Sequence, residues 1–508
     1  EWGVFRHYWV VFKLLINVFS TIVLLMYIRT VGYFATVAAD TTLSSSDLLA
    51  LRSVSPVVHA SAAILLLLVA TTLAVYKPRG LTPHGLRIRK QRSVSQQALL
   101  RQIVFAIAIS VTGAACSGER SSEAPSVATV RLDSIASPAA PGSAEPNLGV
   151  SPDGRVYMSW LEPNQSGHAL RVAALEGSEW SPAQTVRAGR DFFVNWADFP
   201  SIEVLDGGRL AVHWLQRNGS GTYAYGVRIS QSGDDGKTWS TPVMPHRDSS
   251  QTEHGFVGLW REAGALGAVW LDGRNFSKEG HDASNEMMLL ATAVHPDGKL
   301  GDEVTLDERT CDCCQNSAAL TADGPIVAYR DRSPDEIRDI YVTRRVGGTW
   351  TPGTPVHSDN WNIAACPVNG PAVTASGRRV AVAWFTAAND SPRVKLAFSD
   401  DAGATFRAPI RADGGNPAGR VDVAMLPDGS ALVTWIERTG GDTAAVQARR
   451  VHRDGKIGET TMIGSSSAAR ASGFPQMAVV GSDVFFAWTV PGENSAVRVA
   501  RARLSDFQ

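Results

Sequence analysis

The most reactive side chains in the sequence are four cysteines in two nearby segments. Three of them form Cys311-Asp-Cys313-Cys314, and the fourth begins Cys366-Pro-Val. Thiols at this spacing form disulfides in an exported protein, or bind a soft metal ion such as zinc or copper. We expect a disulfide between Cys366 and one of the first three, with a four-cysteine metal site as the alternative. Since the three cannot all bond to Cys366, a vicinal disulfide or a free thiol is also expected.

A second group of candidates is polar or charged and lies at the start or end of short apolar runs. Its members are His254, Asp272, Arg274, Arg330, Arg332, Glu336, Arg338, Asp339, Arg420 and Asp422. Arginine binds carboxylates through two parallel hydrogen bonds, so the group is suited to an anionic ligand. The alternative is that these residues pair with one another on solvated loops, as runs of mixed charge usually do.

Seven aromatic residues, each at the end of an apolar run, divide residues 147–508 into repeats. They are Trp160, Trp214, Trp270, Tyr329, Trp384, Trp435 and Trp488, at spacings of 51 to 59 residues. A period of about 55 residues with about four strands per repeat is typical of a β-propeller. The last repeat contains only three strands. We therefore expect the strand at 127–132 to complete it and close a ring of seven blades, with six as the alternative count.

Two related strings indicate the type of propeller. Ser232-Gly-Asp-Asp-Gly-Lys-Thr-Trp239 recurs as Ser399-Asp-Asp-Ala-Gly-Ala-Thr-Phe406. In each, Asp and Gly favour a tight turn and the aromatic ring fills the space between hairpins. The pattern resembles the Asp box, or BNR repeat, of the sialidase-type β-propellers, and its defining positions here are Ser232, Asp234, Gly236, Thr238, Trp239, Ser399, Asp401, Gly403, Thr405 and Phe406. The resemblance covers about residues 127–508 and implies an all-β propeller in which these turns are structural.

The sialidase resemblance also implies a chemistry for the charged group. In that family three arginines bind the sugar carboxylate, a tyrosine assisted by a glutamate attacks the anomeric carbon, and an aspartate is the acid/base. The resemblance assigns the arginines to Arg274, Arg332 and Arg420, and gives Asp272 and Glu336 as acid/base candidates. The chain departs from the family because no tyrosine stands at a nucleophile position and because catalytic sialidases have six blades.

The N-terminal region is predicted to be embedded in a membrane. Residues 10–28 and 57–76 are apolar over the length of a spanning helix, and a basic tail extends to residue 92. The basic residues are expected to remain in the cytoplasm. Residues 1–92 resemble a small bacterial integral membrane protein family of unknown function through His7-Tyr-Trp9, Lys13-Leu-Leu15 and Tyr76-Lys-Pro-Arg-Gly80.

A third apolar segment, at 93–116, ends in Gly113-Ala-Ala-Cys116. It is similar to a secretory signal with a lipoprotein cleavage site, with Cys116 as the lipidated residue; the alternative is an uncleaved third anchor. Both place the linker at 117–146 and the propeller at 147–508 on the extracytoplasmic side of a bacterial envelope. The net charge of −1 does not suggest a nucleic-acid partner, and no cofactor is expected.

Three functions are compatible with the sequence. The first is a membrane-anchored propeller that binds a glycan or another anionic ligand at its central face, with exo-α-sialidase-type glycosidase activity as an extension. The second is a non-catalytic scaffold or protein-binding module. The third is a metal-dependent redox or binding protein, which depends on the cysteines alone.

Overall fold

The computed structural model describes residues 8–39, 55–76, 130–276, 286–493 and 495–508. The chain divides into two compact units, Glu1–Pro125 and Ser126–Gln508. The lipobox-like segment at 93–116, with Cys116, and the basic tail that precedes it lie outside the described residues.

The first unit contains two apolar helices, α1 (Tyr8–Ala39) and α2 (Ser55–Tyr76). They contain the two predicted spans, and the rings of Tyr27 and His59 stack at 4.0 Å between them. In the described part of the chain, one helical stretch is long and apolar enough to cross a membrane, at Val11–Tyr33, and Val58–Thr72 is a shorter apolar stretch. The second span therefore remains a prediction.

The second unit is a β-propeller of seven sheets, which confirms the seven-bladed fold and excludes six blades. Blades one to three comprise β2–β6 (Ala144–Val150, Val156–Asn164, Gly167–Glu176, Glu179–Trp180, Gln184–Gly189), β7–β9 (Ile202–Val204, Leu210–Arg217, Tyr225–Ser232) and β10–β13 (His254–Glu262, Ala265–Asp272, Met287–Val294, Val304–Thr310). Blades four and five comprise β14–β18 (Ser317–Thr321, Gly324–Arg330, Ile340–Val346, Thr349–Trp350, Thr354–Pro355) and β19–β22 (Ala372–Ser376, Arg379–Thr386, Arg393–Ser399, Ile410–Arg411). Blades six and seven comprise β23–β26 (Pro417–Met425, Ala431–Gly440, Thr443–Val451, Thr461–Ser467) and β27–β29 (Gln476–Val480, Asp483–Val490, Ala496–Arg503).

The seventh blade takes its outer strand from the N-terminal side of the ring. This strand, β1 (Asp133–Ile135), pairs antiparallel with β29, so that Ser134 lies opposite Ala500. The sequence placed the closing strand at 127–132; residues 127–129 lie outside the described residues, and the described pairing begins only at Asp133. Val130 and Leu132 instead pack against the core of the last blade. By pairing with β29, β1 covers the edge of the last blade and joins the two ends of the ring.

The predicted aromatic anchors all lie on the second strand of their blades and are buried. An indole buried in this way needs an acceptor for its N–H group. In three blades a carboxylate two residues further along supplies it, at 2.8 Å for Trp160 with Glu162, 2.9 Å for Trp270 with Asp272, and 2.6 Å for Trp435 with Glu437. The repeat therefore has a recurring aromatic-x-carboxylate unit, and Asp272 belongs to it.

The two Asp boxes form the expected turns after the third strands of blades two and five. The Ser232 hydroxyl accepts the Gly236 N–H at 2.8 Å, and the Asp234 carboxylate accepts the Thr238 N–H at 2.9 Å and its hydroxyl at 2.7 Å. The second box repeats these contacts from Ser399 and Asp401. Hydrogen bonds from Thr238 lower the pKa of Asp234 to about 2. These contacts give the boxes a structural role.

Candidate functional site

The candidate residues gather at one end of the blades because the sheets are antiparallel. The loops from second to third strands lie at the same end as the entries to the inner strands, and the Asp-box turns lie at the opposite end. The entry loop at 311–316, the entry loop at 366–371 and the charged loop at 331–339 all belong to the first end. We call it the entry face.

A central cavity of about 250 Å³ opens between the inner strands. Its polar lining consists mainly of amides and carboxyl groups: Asn147, Asp198, Gln315, Asn316, Asp422 and Gln476. The rings of Phe256 and Phe474 also contribute to the wall, and none of the described residues that line the cavity is lysine or arginine. This lining offers hydrogen bonds and apolar ring surface, but no positive charge for an anion.

Several of these polar groups also join one blade to the next. The Asp198 carboxylate accepts the Phe256 N–H at 2.7 Å, and the Asp422 carboxylate accepts the Met477 N–H at 2.7 Å. Asn316 differs from them. Its amide nitrogen donates to the Phe256 carbonyl at 2.9 Å, but its Oδ1 has no hydrogen-bond partner among the described residues. It is therefore a buried acceptor whose hydrogen-bonding capacity is unused among the described residues and which solvent does not reach.

A tyrosine and two carboxyl groups form a buried acid cluster beside the cavity. The Tyr225 hydroxyl lies 2.9 Å from Asp198 Oδ2 and 2.7 Å from Glu253 Oε1. Burial raises the pKa of Asp198 to about 7, and burial with the neighbouring negative groups raises that of Glu253 to about 8. Near neutral pH the cluster thus holds a transferable proton, as general acid/base catalysis requires. No motif or spacing in the sequence pointed to Tyr225, Glu253 or Asp198.

The four cysteines lie together on the entry face, as their positions at inner-strand starts predicted. Cys311 Sγ is 3.6 Å from Cys313 Sγ and 3.5 Å from Cys314 Sγ. Cys366 Sγ is 3.7 Å from Asp312 Oδ1. All four are free thiols, so the expected disulfide to Cys366 is not present in the structure.

A network of ion pairs extends from the cysteines along the charged loop. The Arg338 guanidinium lies 3.3 Å from Cys311 Sγ and 2.9 Å from a Glu336 oxygen. Glu336 also accepts from Arg332 at 2.7 Å. Hydrogen bonding to Arg332 keeps the pKa of Glu336 below its usual range. Burial opposes ionisation of Cys311, but the S–H groups of Cys313 and Cys314 and the charge of Arg338 outweigh it, so the pKa of Cys311 lies well below that of an ordinary thiol.

The three arginines assigned to a carboxylate clamp each have partners of their own. Arg274 binds Asp272 at 2.7 Å and Glu303 at 2.8 Å. Arg332 is held by Glu336. Arg420 donates to the Ala469 carbonyl at 2.9 Å and lies over the Trp196 ring at 4.8 Å, and its burial lowers its pKa to about 10. No contact of the described residues brings the three together around one centre.

Asp272 and His254 are parts of the third blade rather than of the cavity wall. Burial opposes ionisation of Asp272, but its bonds to Arg274 outweigh this and keep its pKa below the usual range. His254 Nε2 lies 3.1 Å from Asp248 and 3.5 Å from Asp272, and its ring stacks on that of His246 at 4.1 Å. These contacts favour a packing role for Asp272, whose indole partner is Trp270.

Solved structures to which this chain is similar include a protein of unknown function from Dyadobacter fermentans. The two are 14% identical over 74% of this chain and 98% of that chain, with a TM-score of 0.44. A sialidase from Trypanosoma rangeli is 13% identical over 65% of this chain and 57% of its own, with a TM-score of 0.40. A polysaccharide lyase described as an ulvan lyase is 12% identical over 73% and 96%, with a TM-score of 0.47. No family model matches the sequence, and no curated protein matches it. The propeller assignment rests on the seven sheets themselves.

Proposed function

We propose that the propeller binds a glycan at its entry face, in the central cavity. The observation that carries this proposal is the lining itself, in which amides and carboxyl groups stand beside Phe256 and Phe474. Sugars offer hydroxyl groups to such acceptors and donors and stack their apolar faces on rings. The unpartnered Oδ1 of Asn316 lies just beneath the lining, and a sugar hydroxyl would reach it by a small shift of the wall. Since the described lining contains no cationic residue, a neutral glycan fits better than the anionic ligand or sialoside first expected.

Glycoside hydrolysis is a second candidate, favoured by the acid cluster of Asp198, Tyr225 and Glu253. Asp198 lines the cavity, and its raised pKa suits a general acid. Tyr225 and Glu253 are buried behind Asp198 and are not among the lining residues, so they would act by holding the Asp198 carboxyl group, which the Tyr225 hydroxyl contacts at 2.9 Å. The proposal therefore moves the catalytic roles from Asp272, Glu336 and the arginines to the acid cluster.

The binding test uses the full chain in detergent and an array of neutral, uronic-acid and sialylated glycans, followed by calorimetric titration of the best ligand. Asn316→Ala should lower affinity about tenfold, because one buried hydrogen bond is worth about 1 to 1.5 kcal/mol. Gln184→Ala on the outer strand β6 is the matched control, since this half-buried side chain is not part of the cavity lining. Selective retention of sialylated glycans, or no retention of any glycan, would reject the proposal, and the latter would favour a protein-binding scaffold.

The hydrolysis test is separate. A fluorogenic glycoside of the glycan retained on the array should be cleaved by the wild-type chain, and Tyr225→Phe should reduce kcat at least a hundredfold with little change in KM. Arg332→Ala should leave both constants unchanged, because Arg332 is paired with Glu336. If Arg332→Ala abolishes turnover and Tyr225→Phe does not, the arginine-clamp assignment is the correct one.

We also propose that the first unit anchors the protein in the bacterial cytoplasmic membrane with the propeller outside. The apolar stretch Val11–Tyr33 supports an anchor, although a signal sequence near the N-terminus has the same composition. The full chain should stay in the membrane fraction after alkaline carbonate washing, and protease added to spheroplasts should digest the propeller. A propeller that is protected until the cells are lysed would contradict the proposed side.

A further inference from the structure

The cysteine cluster has the donor atoms and the spacing of a metal centre. We propose that the propeller binds one thiophilic metal ion, Zn²⁺ or Cu⁺, through four sulfurs: those of Cys311, Cys313, Cys314 and Cys366. Thiolates are the protein ligands that these ions prefer. The site is separate from the central cavity, and the inference does not depend on glycan binding.

The distances between the sulfurs match those around such an ion. Cys311 Sγ lies 3.6 Å from Cys313 Sγ and 3.5 Å from Cys314 Sγ, and the three sulfurs all lie within 4.8 Å of one another. Sulfurs at the usual zinc bond length of about 2.3 Å stand about 3.8 Å apart in a tetrahedron and about 4.0 Å apart in a trigonal plane. Adjustments of a few tenths of an ångström therefore admit the ion between Cys311, Cys313 and Cys314.

The fourth donor comes from the next blade. Cys313 Sγ, Cys366 Sγ and a carboxylate oxygen of Asp312 lie within 4.8 Å of one another. Cys366 is exposed, whereas Cys311 and Cys314 are buried. A trigonal site is thus complete with the first three sulfurs, and Cys366 can complete a tetrahedral one from the solvent side.

Arg338 provides the outer contact that a thiolate site needs. Its Nη1 lies 3.3 Å from Cys311 Sγ and 3.4 Å from Asp312 Oδ1. Four thiolates around Zn²⁺ carry a net charge of −2, and the guanidinium offsets part of it. Hydrogen bonds of this kind orient metal ligands and stabilise their charge.

The two cysteine-bearing loops are fixed against each other before any ion binds. Gln315 Oε1 accepts the Gly370 N–H at 3.0 Å, and a Cβ atom added at Gly370 would collide with the Gln315 backbone. Arg330 donates to the Asn369 carbonyl at 2.7 Å. Since backbone and buried side chains hold both loops, the sulfurs of Cys311, Cys313 and Cys314 are preorganised, and Cys366, which is close to Cys313, is the ligand that has to move toward the ion.

The test is metal binding by the full chain, purified in detergent, reduced, and freed of metal with a chelator. Zn²⁺ and Cu⁺ are titrated separately against chromophoric competitors, and a mixed titration identifies the preferred ion. We expect one equivalent per chain, and X-ray absorption should show three or four sulfur neighbours at about 2.3 Å. Cys311→Ser and Cys314→Ser should weaken binding at least a hundredfold, and Cys366→Ser should weaken it less.

Cys116→Ser is the matched control, since it removes the one remaining cysteine of the sequence and should leave stoichiometry and affinity unchanged. The exposed position of Cys366 and the wild-type absorption spectrum keep the test valid if the buried variants fail to fold. No binding by the reduced and folded wild type would overturn the proposal, as would unchanged affinity in Cys311→Ser. A Cys313–Cys366 disulfide in protein isolated without reductant would overturn it too, because that bridge consumes two of the four sulfurs.

Discussion

The buried carboxyl group of Asp198 should make the propeller less stable as the pH rises. Its pKa lies at about 7 in the folded state against an ordinary value of 3.8. Between these values the folded state binds a proton that the unfolded state has lost, so the free energy of unfolding falls with rising pH. The stabilisation is complete below about pH 4 and has been lost above about pH 7. Asp198→Asn removes this dependence because the amide does not ionise.

The size of the effect follows from the difference between the two pKa values. A difference of about 3 corresponds to about 4 kcal/mol, of which about 3 kcal/mol falls between pH 5 and pH 8. Asparagine can keep the local contacts, since its oxygen can accept the Phe256 N–H and its NH₂ group can donate to the Tyr225 oxygen. Relative to the wild type, the free energy of unfolding of the variant should therefore rise by about 3 kcal/mol between pH 5 and pH 8.

The assay is thermal and urea unfolding of the full chain at pH 5, 6, 7 and 8. The loss of melting temperature between pH 5 and pH 8 should be several degrees smaller in Asp198→Asn than in the wild type. Asp442→Asn, an exposed turn residue, is the control and should behave as the wild type. Equal pH dependence in Asp198→Asn and the wild type would refute the assignment of a raised pKa, whatever the absolute stabilities.

Three further predictions concern the structural elements of the ring. Asp234→Ala removes the acceptor of two Thr238 hydrogen bonds and should lower the midpoint of urea unfolding without changing glycan retention; a loss of retention would contradict the structural role of the Asp box. Arg330→Met removes the guanidinium that donates to three buried carbonyl groups and should cost about 3 kcal/mol, whereas Arg332→Ala should cost less because Glu336 keeps its bond to Arg338; equal costs would speak against this contrast. Deletion of residues 130–137 removes β1 and should speed hydrogen exchange in β27–β29 alone, and uniform exchange across all blades would show that β1 does not close the ring.

The fold could be predicted because every blade buries its sheet against its neighbours with the same type of residue at the same position. A second strand that contains a buried aromatic residue recurs in all seven blades, so its period was visible in the sequence. The closing strand was harder to place, because Val130 and Leu132 are apolar as strand residues are. Pairing with β29 falls instead at Asp133–Ile135. The apolar residues thus indicated which part of the chain packs against the last blade. Which residues form the strand is determined by the hydrogen-bond register with β29.

The acid cluster could not be predicted because its members are joined by tertiary contacts alone. Tyr225 lies 27 residues from Asp198 and 28 from Glu253, and no motif surrounds any of them. The opposite holds for Arg332, whose partner is close in sequence. Arg332 pairs with Glu336 four residues on, which is the paired-loop alternative that the charge pattern already offered. The position of the four cysteines near the starts of inner strands predicted that they lie close together. Their state was not predicted, because a disulfide was expected and the thiols are free.

The contacts of the entry face give a physical criterion for separating structural from functional polar groups in this propeller. A blade cannot bury its inner strand alone, so polar side chains at strand ends are used to join it to the next blade. Arg330, for example, donates to carbonyls of the fifth blade, and Asp422 accepts from the seventh. Such residues look catalytic in sequence, yet their hydrogen-bonding capacity is used within the ring. A group with unused capacity, such as Asn316 Oδ1, is the better candidate, and the clustered cysteine sulfurs are a second one because they contact one another instead of joining the blades.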